Sequence, residues 1–178
     1  MHVFWEKSYE GATLSNLTEA MGISRSSMYA VFGDKEQLFR RVTDRYRDGR
    51  MTHVRAALDK PTLTEVVSSL LYGTVDFLSQ PDHPRGCLSI QGVLACGEDA
   101  EPVKQAMIAM RKGGDDALRK RMTKARESGE LPEDIDPADY ARFLSTVIRG
   151  LGVQAANGAT RGEMKRVADF VLRVLRLT

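Results

Sequence analysis

Apolar residues recur every three to four positions along almost the whole chain, and no stretch alternates as a strand would. In residues 2–9, Val3, Phe4 and Tyr9 supply core contacts. That piece spans barely two turns without a cap, so it reads as the end of a longer helix held by packing. After Glu10-Gly11-Ala12, the residues Leu14, Leu17 and Met21 share one helix face, while Ser15, Asn16 and Glu19 point away. Thr13 is placed to cap this helix and Gly22 to stop it. Ser24 can cap the next helix, a short one. Met28, Val31 and Phe32 cluster on one side of its wheel, with Arg25, Ser26, Tyr29 and Ala30 on the other. Two short helices joined by a tight turn make a helix-turn-helix. Its outer face carries a cation, a hydroxyl and a phenol, which suit phosphates and base edges.

The pattern continues helically beyond it. Asp34, with Gln37 three residues on, opens a helix with the stripe Leu38, Phe39, Val42 and Tyr46; it is expected to run to about Leu58, with Gly49 its weak point. Thr62 and Glu65 form a capping box for a strongly apolar helix ending near Leu78. Residues 87–96 are ambiguous by period and take helix from their neighbours. Asp99 to Ser128 reads as one long helix that Gly113-Gly114 could kink. Asp136-Pro137 starts the penultimate helix, and Thr160 with Glu163 caps the last, whose stripe is Met164, Val167, Ala168, Val171 and Leu175.

At 178 residues the chain can bury a substantial core. The formal net charge is only +2, and that excess lies within residues 1–60. Charge therefore permits nucleic-acid binding without announcing it. Cys87 and Cys96 stand nine residues apart, about 900° around one helix, so a bond between them is not expected there. Both read as small core residues, with a redox-sensing role left open, and two cysteines fit a reducing cytosol. There is no membrane-length apolar run and no signal peptide, so a soluble cytoplasmic protein is expected. His2, His53 and His83 lack metal-ligand spacing, and no nucleophile–base arrangement can be argued. No catalytic site, metal or cofactor is expected.

The stretch FWEKSYEGATLSNLTEAMGISRSSMYAVFGDKEQLF, residues 4 to 39, resembles the TetR family of bacterial transcriptional regulators. The matching features are a YEGAT-like loop, a helix-turn of the form L-x-x-L-x-x-x-x-G-I-S, and Y-x-x-F-x-x-K-E-x-L. The resemblance implies that Arg25, Ser26, Ser27, Tyr29 and Ala30 face the major groove, and that Thr13 and Lys35 contact phosphate. It also implies that Ser8 occupies a position where the family usually has glycine. The implied fold is all-α: residues 1–47 as a three-helix DNA-binding domain with its first helix truncated, and residues 48–178 as a larger helical domain for ligand binding and dimerisation. The implied partners are a double-stranded DNA operator, a small-molecule effector and a second copy of the chain, with no membrane.

Two further sets are candidates for the ligand and partner roles that the resemblance implies. Phe77, Gln91, Met107, Met110, Tyr140, Phe143 and Gln154 combine apolar walls with a few polar groups and could line the effector pocket, or simply fill the core. Ser145, Gly152 and Ala156 place small side chains on one strip of the penultimate helix, and Met164, Val167 and Val171 extend the surface for a two-fold partner. The function expected is a repressor released from a palindromic operator by a small molecule. The alternative is a helical ligand-binding module whose N-terminal motif no longer binds DNA.

Overall fold

The computed structural model describes residues 1–94 and 100–176, and for residue 50 and residues 92–94 the backbone alone. Its helices are α1 His2–Gly11, α2 Leu14–Met21, α3 Arg25–Phe32, α4 Lys35–Arg45, α5 Thr52–Leu58, α6 Leu63–Leu78, α7 Leu88–Leu94, α8 Glu101–Glu127, α9 Pro137–Ala156 and α10 Arg161–Val174. A π-helical turn, Tyr46–Arg50, separates α4 from α5, and the described residues contain no strand. The chain forms two compact units, one of Met1–Arg50 with Cys87–Arg111, the other of Met51–Gly86 with Lys112–Thr178. Residues 87–111 therefore pack with the first fifty residues. The periodic pattern gave no sign of this, because it records which face is apolar and not what covers it.

Helix ends follow local chemistry. Thr13 Oγ1 accepts from the Asn16 amide at 3.1 Å, and the Thr13 amide donates back to Asn16 Oδ1 at 3.3 Å. Thr62 and Thr160 make the same reciprocal pairing with Glu65 and Glu163. Asp136 Oδ1 accepts from the amides of Ala138 and Asp139. Each such cap satisfies amides that have no partner within the helix.

Two expectations change. The helix expected from Asp34 to Leu58 is instead α4, the π turn and α5. Gly49, the poorest helix former in that stretch, lies within the π turn. By contrast α8 runs unbroken through Gly113-Gly114. A Cβ on either glycine would meet nothing within 4 Å, so nothing packed there forces a bend. The segment 87–96, expected to be helical, is helical as α7 over Leu88–Leu94, and Cys96 lies outside the described residues.

The first unit is built on aromatic packing. Phe4 and Trp5 of α1 are buried. Phe4 meets Phe39 edge-on at 5.0 Å, and Trp5 meets Tyr46 edge-on at 5.0 Å. Met28 is the residue of α3 that reaches the core, while Leu17, Leu38 and Val42 complete the packing of α2 and α4. α7 lies against α1. A cleft of about 360 Å³ opens between α1, α2 and α4 beside Val3, Leu17, Met21 and Val42.

In the second unit α6 is central, packed on α5, α9 and α10. Arg121 of α8 is buried and donates through Nη2 to the carbonyls of Lys60 and Pro61. Glu130 accepts from the Leu63 amide at the start of α6, and that bond holds its carboxyl below the usual carboxylate range. These two side chains tie both ends of the α5–α6 turn to α8 and its following loop.

Candidate nucleic-acid interface

Three successive helix starts carry the expected polar groups. At α2, the Thr13 hydroxyl accepts from the Asn16 amide, so its own O–H can be given to an acceptor. At α3, Ser24 caps the helix by accepting from the Ser27 amide at 3.1 Å, and its Oγ lies 2.8 Å from Ser26 Oγ and 2.9 Å from Ser27 Oγ. At α4, Asp34 Oδ1 accepts from the Gln37 amide at 2.8 Å, and Lys35 is the first helical residue.

The outer face of α3 is as the wheel placed it. Arg25, Ser26, Ser27, Tyr29 and Ala30 are all exposed, with Tyr29 at 48 %. Arg25 reaches back across the turn and donates through Nη2 to Ser15 Oγ of α2 at 2.7 Å. The inner face is narrower than expected. Met28 is fully buried and Phe32 half-buried, but Val31 is 57 % exposed. In a helix of eight residues only the line through Met28 faces the core, and Val31, about 60° off that line, falls outside it.

The Lys35 ammonium rests over the Tyr9 ring, 4.5 Å from its centroid. Burial holds it below its ordinary value, and the nearby Glu10 carboxylate partly counters this. The sequence pattern makes Tyr9 a core contact. It does stack on Phe4 at 6.3 Å and meet Phe39 edge-on at 5.2 Å, yet its other role, under a cation, is invisible to that pattern. The two residues stand 26 positions apart, and no local period connects them. The face as a whole offers a guanidinium, an ammonium and several hydroxyls at helix N-termini, with a phenol one turn further along α3. Such a set binds polyanions and can donate to base edges.

The residues expected to line an effector pocket fall in both units. Gln91, Met107 and Met110 belong to the first unit; Phe77, Tyr140, Phe143 and Gln154 belong to the second. Met107 and Phe77 are buried, and the Phe77 ring packs against those of His53 and His83. Gln91 keeps a buried Oε1 with no hydrogen-bond partner among the described residues. Tyr140 is buried, and desolvation pushes its phenol up to about 12. Phe143 and Gln154 are exposed on one face of α9. None of the seven borders the cleft beside α1.

The expected partner surface also divides. Ser145 is buried and donates to Asp115 Oδ1 at 2.8 Å, while Gly152, Met164 and Val171 are buried in the protomer's own packing. Ala156 and Val167 are exposed. Val167 continues into Phe170, 64 % exposed, and Val174, 58 % exposed, at i, i+3 and i+7 on α10. The sequence pattern did not single out these last two because α10 has two apolar stripes, and the period does not say which one turns inward. Among the described residues no helix is long and apolar enough to cross a membrane, and no cluster of three side chains could hold a metal ion.

Comparison with known proteins agrees with the motif. The family profile for bacterial regulatory proteins of the tetR family matches residues 1–42, and the tetracyclin repressor-like C-terminal domain profile matches residues 64–171. The HTH-type transcriptional repressor AcnR of Corynebacterium glutamicum is 30 % identical over 97 % of this chain and 86 % of its own length. The HTH-type transcriptional repressor ComR of Escherichia coli is 27 % identical over 98 % of this chain and 84 % of its own. A cysteine-substituted form of the TetR family regulator CifR, solved with a 26-base-pair operator DNA, is 38 % identical. It superposes with a TM-score of 0.91 over 97 % of this chain and 91 % of that one.

Proposed function

Since the chain belongs to the TetR family of bacterial transcriptional regulators, we propose that it is a ligand-responsive repressor that binds a palindromic DNA operator and leaves it when a small molecule binds. The observation that carries this is the exposed face of α3, with Arg25, Ser26, Ser27, Tyr29 and Ala30 clear of the core, flanked by Thr13 and Lys35 at the starts of α2 and α4. Arg25 and Tyr29 are assigned to base edges and adjoining phosphates, and Thr13 and Lys35 to phosphates.

A single helix-turn-helix reads one half-site. The exposed stripe of Val167, Phe170 and Val174 supports a homodimer formed through α10, and two-fold pairing would set two α3 helices on half-sites about 34 Å apart or a multiple of that. The effector acts by favouring a conformation in which that spacing no longer fits. Residues 48–178 carry the ligand and partner roles in this reading, and the protein works in the cytoplasm where its operator lies.

The test is a mobility-shift titration with the DNA upstream of the protein's own gene, repeated across salt concentrations. Expected are discrimination against unrelated DNA and a steep fall of affinity with salt, since each neutralised phosphate releases a counterion. Weak binding without sequence discrimination would instead leave a helical ligand-binding module with a non-functional motif.

A further inference from the structure

Residue 8 has the least comfortable backbone in the first unit. Ser8 interrupts α1 with φ 59° and ψ −178°, a region that side chains with a Cβ rarely enter. The interruption has a geometric consequence. In an unbroken helix Phe4 and Tyr9, five residues apart, would point about 140° away from each other. Here their rings lie 6.3 Å apart and within 10° of parallel. The turn at Ser8 brings Tyr9 back over the aromatic cluster, where Phe39 supports it edge-on at 5.2 Å. Above the same ring sits Lys35, its ammonium 4.5 Å from the Tyr9 centroid.

We propose that the Tyr9 ring is a platform that positions the Lys35 ammonium for a DNA phosphate, and that the strained turn at Ser8 is what places the ring. This rests on the assignment of Lys35 to phosphate made above. A lysine side chain is flexible, and fixing it at a phosphate costs rotamer freedom. Held in advance on an aromatic face, it loses less on binding. An aromatic face suits this better than a carboxylate: it attracts the cation without neutralising it, and the three N–H donors of the ammonium can still reach phosphate oxygens. Tyr9 thus acts through Lys35 as a positioning residue, and its hydroxyl is not required.

The test is a double-mutant cycle on DNA binding by the full chain, using the operator fragment and a duplex of unrelated sequence. The variants are Tyr9→Leu, Tyr9→Met, Tyr9→Phe, Lys35→Gln and the two Tyr9 aliphatic changes combined with Lys35→Gln, each checked for folding by thermal unfolding. Expected is a loss of about two- to tenfold in affinity for Tyr9→Leu and Tyr9→Met, none for Tyr9→Phe, and no further loss when either aliphatic change is added to Lys35→Gln. Lys35→Gln alone should lower the logarithmic salt slope by about 0.9. If the Tyr9 changes cost as much in the presence of Lys35→Gln as they do with Lys35 intact, Tyr9 is merely structural and the proposal is overturned. So would it be by a Tyr9→Phe variant as weak as Tyr9→Leu. If Lys35→Gln leaves both affinity and salt slope unchanged, the proposal falls at its premise instead, the phosphate assignment of Lys35. Wild-type binding that prefers no sequence fails the operator reading separately.

Discussion

The phenol oxygen of Tyr46 lies 3.1 Å from the sulfur of Cys87, in a buried contact that joins the π turn after α4 to the start of α7. The sulfur also meets Ser89 Oγ at 2.9 Å. Tyr46→Phe removes the first of these while keeping the ring edge-on to Trp5. The expected cost is about 0.5–1.5 kcal/mol, the net value of a typical hydrogen bond. Denaturant midpoints measure it, and Trp5, the chain's only tryptophan, reports whether the ring has moved. No change in midpoint would mean that the contact is not a stabilising hydrogen bond.

Ser8→Gly is expected to stabilise the chain. Glycine enters the positive-φ region at Ser8 without a Cβ clash, which relieves about 1 kcal/mol and is partly offset by its greater unfolded-state freedom. Chemical unfolding of both proteins decides it, and a less stable glycine variant would show that Ser8 is not strained.

Tyr29→Ala should leave folding nearly untouched, since the side chain is 48 % exposed. Operator affinity should drop by about 1–3 kcal/mol, the worth of a good base or phosphate contact. Gel-shift titration together with sedimentation separates lost binding from lost assembly. Wild-type affinity in this variant would remove Tyr29 from the interface.

Phe170→Glu places a charge at the most exposed apolar position of α10. A dimer formed there should dissociate to a folded monomer, because an unpaired charge buried in an apolar interface is strongly disfavoured. Sedimentation equilibrium across concentrations reads this directly. A variant that stays as dimeric as the wild type would move the partner surface elsewhere.

Burial raises the Tyr140 phenol from 10.0 to about 12. The group keeps its proton more tightly when folded, so its contribution is complete below pH 10 and declines as pH rises from there towards 12. Tyr140→Phe should therefore flatten the alkaline loss of stability over that window. Unfolding midpoints at a series of alkaline pH values test it; identical slopes for the two proteins would contradict the burial argument.

Legibility in the sequence followed the range of the interaction. Thr13, Ser24, Asp34, Thr62 and Thr160 could be named as caps because a cap and its partner amide sit within three residues of each other. The exposed side of α3 was readable because a helix wheel fixes the relative directions of Met28, Arg25 and Tyr29. Ser8 stood out only through the family resemblance, and the backbone at that position does take a positive φ.

Where one stripe had to be chosen over another, sequence period could not choose. Met164 and Val171 turn into the protomer while Val167, Phe170 and Val174 remain outside, although both sets repeat at helical spacing on α10. Likewise, Phe143 and Tyr140 are three residues apart on α9 and end on opposite sides of the burial boundary.

The sequence by itself determined most of the helices, their caps and the helix-turn-helix with its outward groups, since each depends on neighbours along the chain. Tertiary structure alone decided that residues 87–111 join the first fifty, that Cys87 meets Tyr46, and that Tyr9 comes to lie beneath Lys35. Those contacts join residues far apart in the chain, and their geometry exists only once the intervening helices have packed.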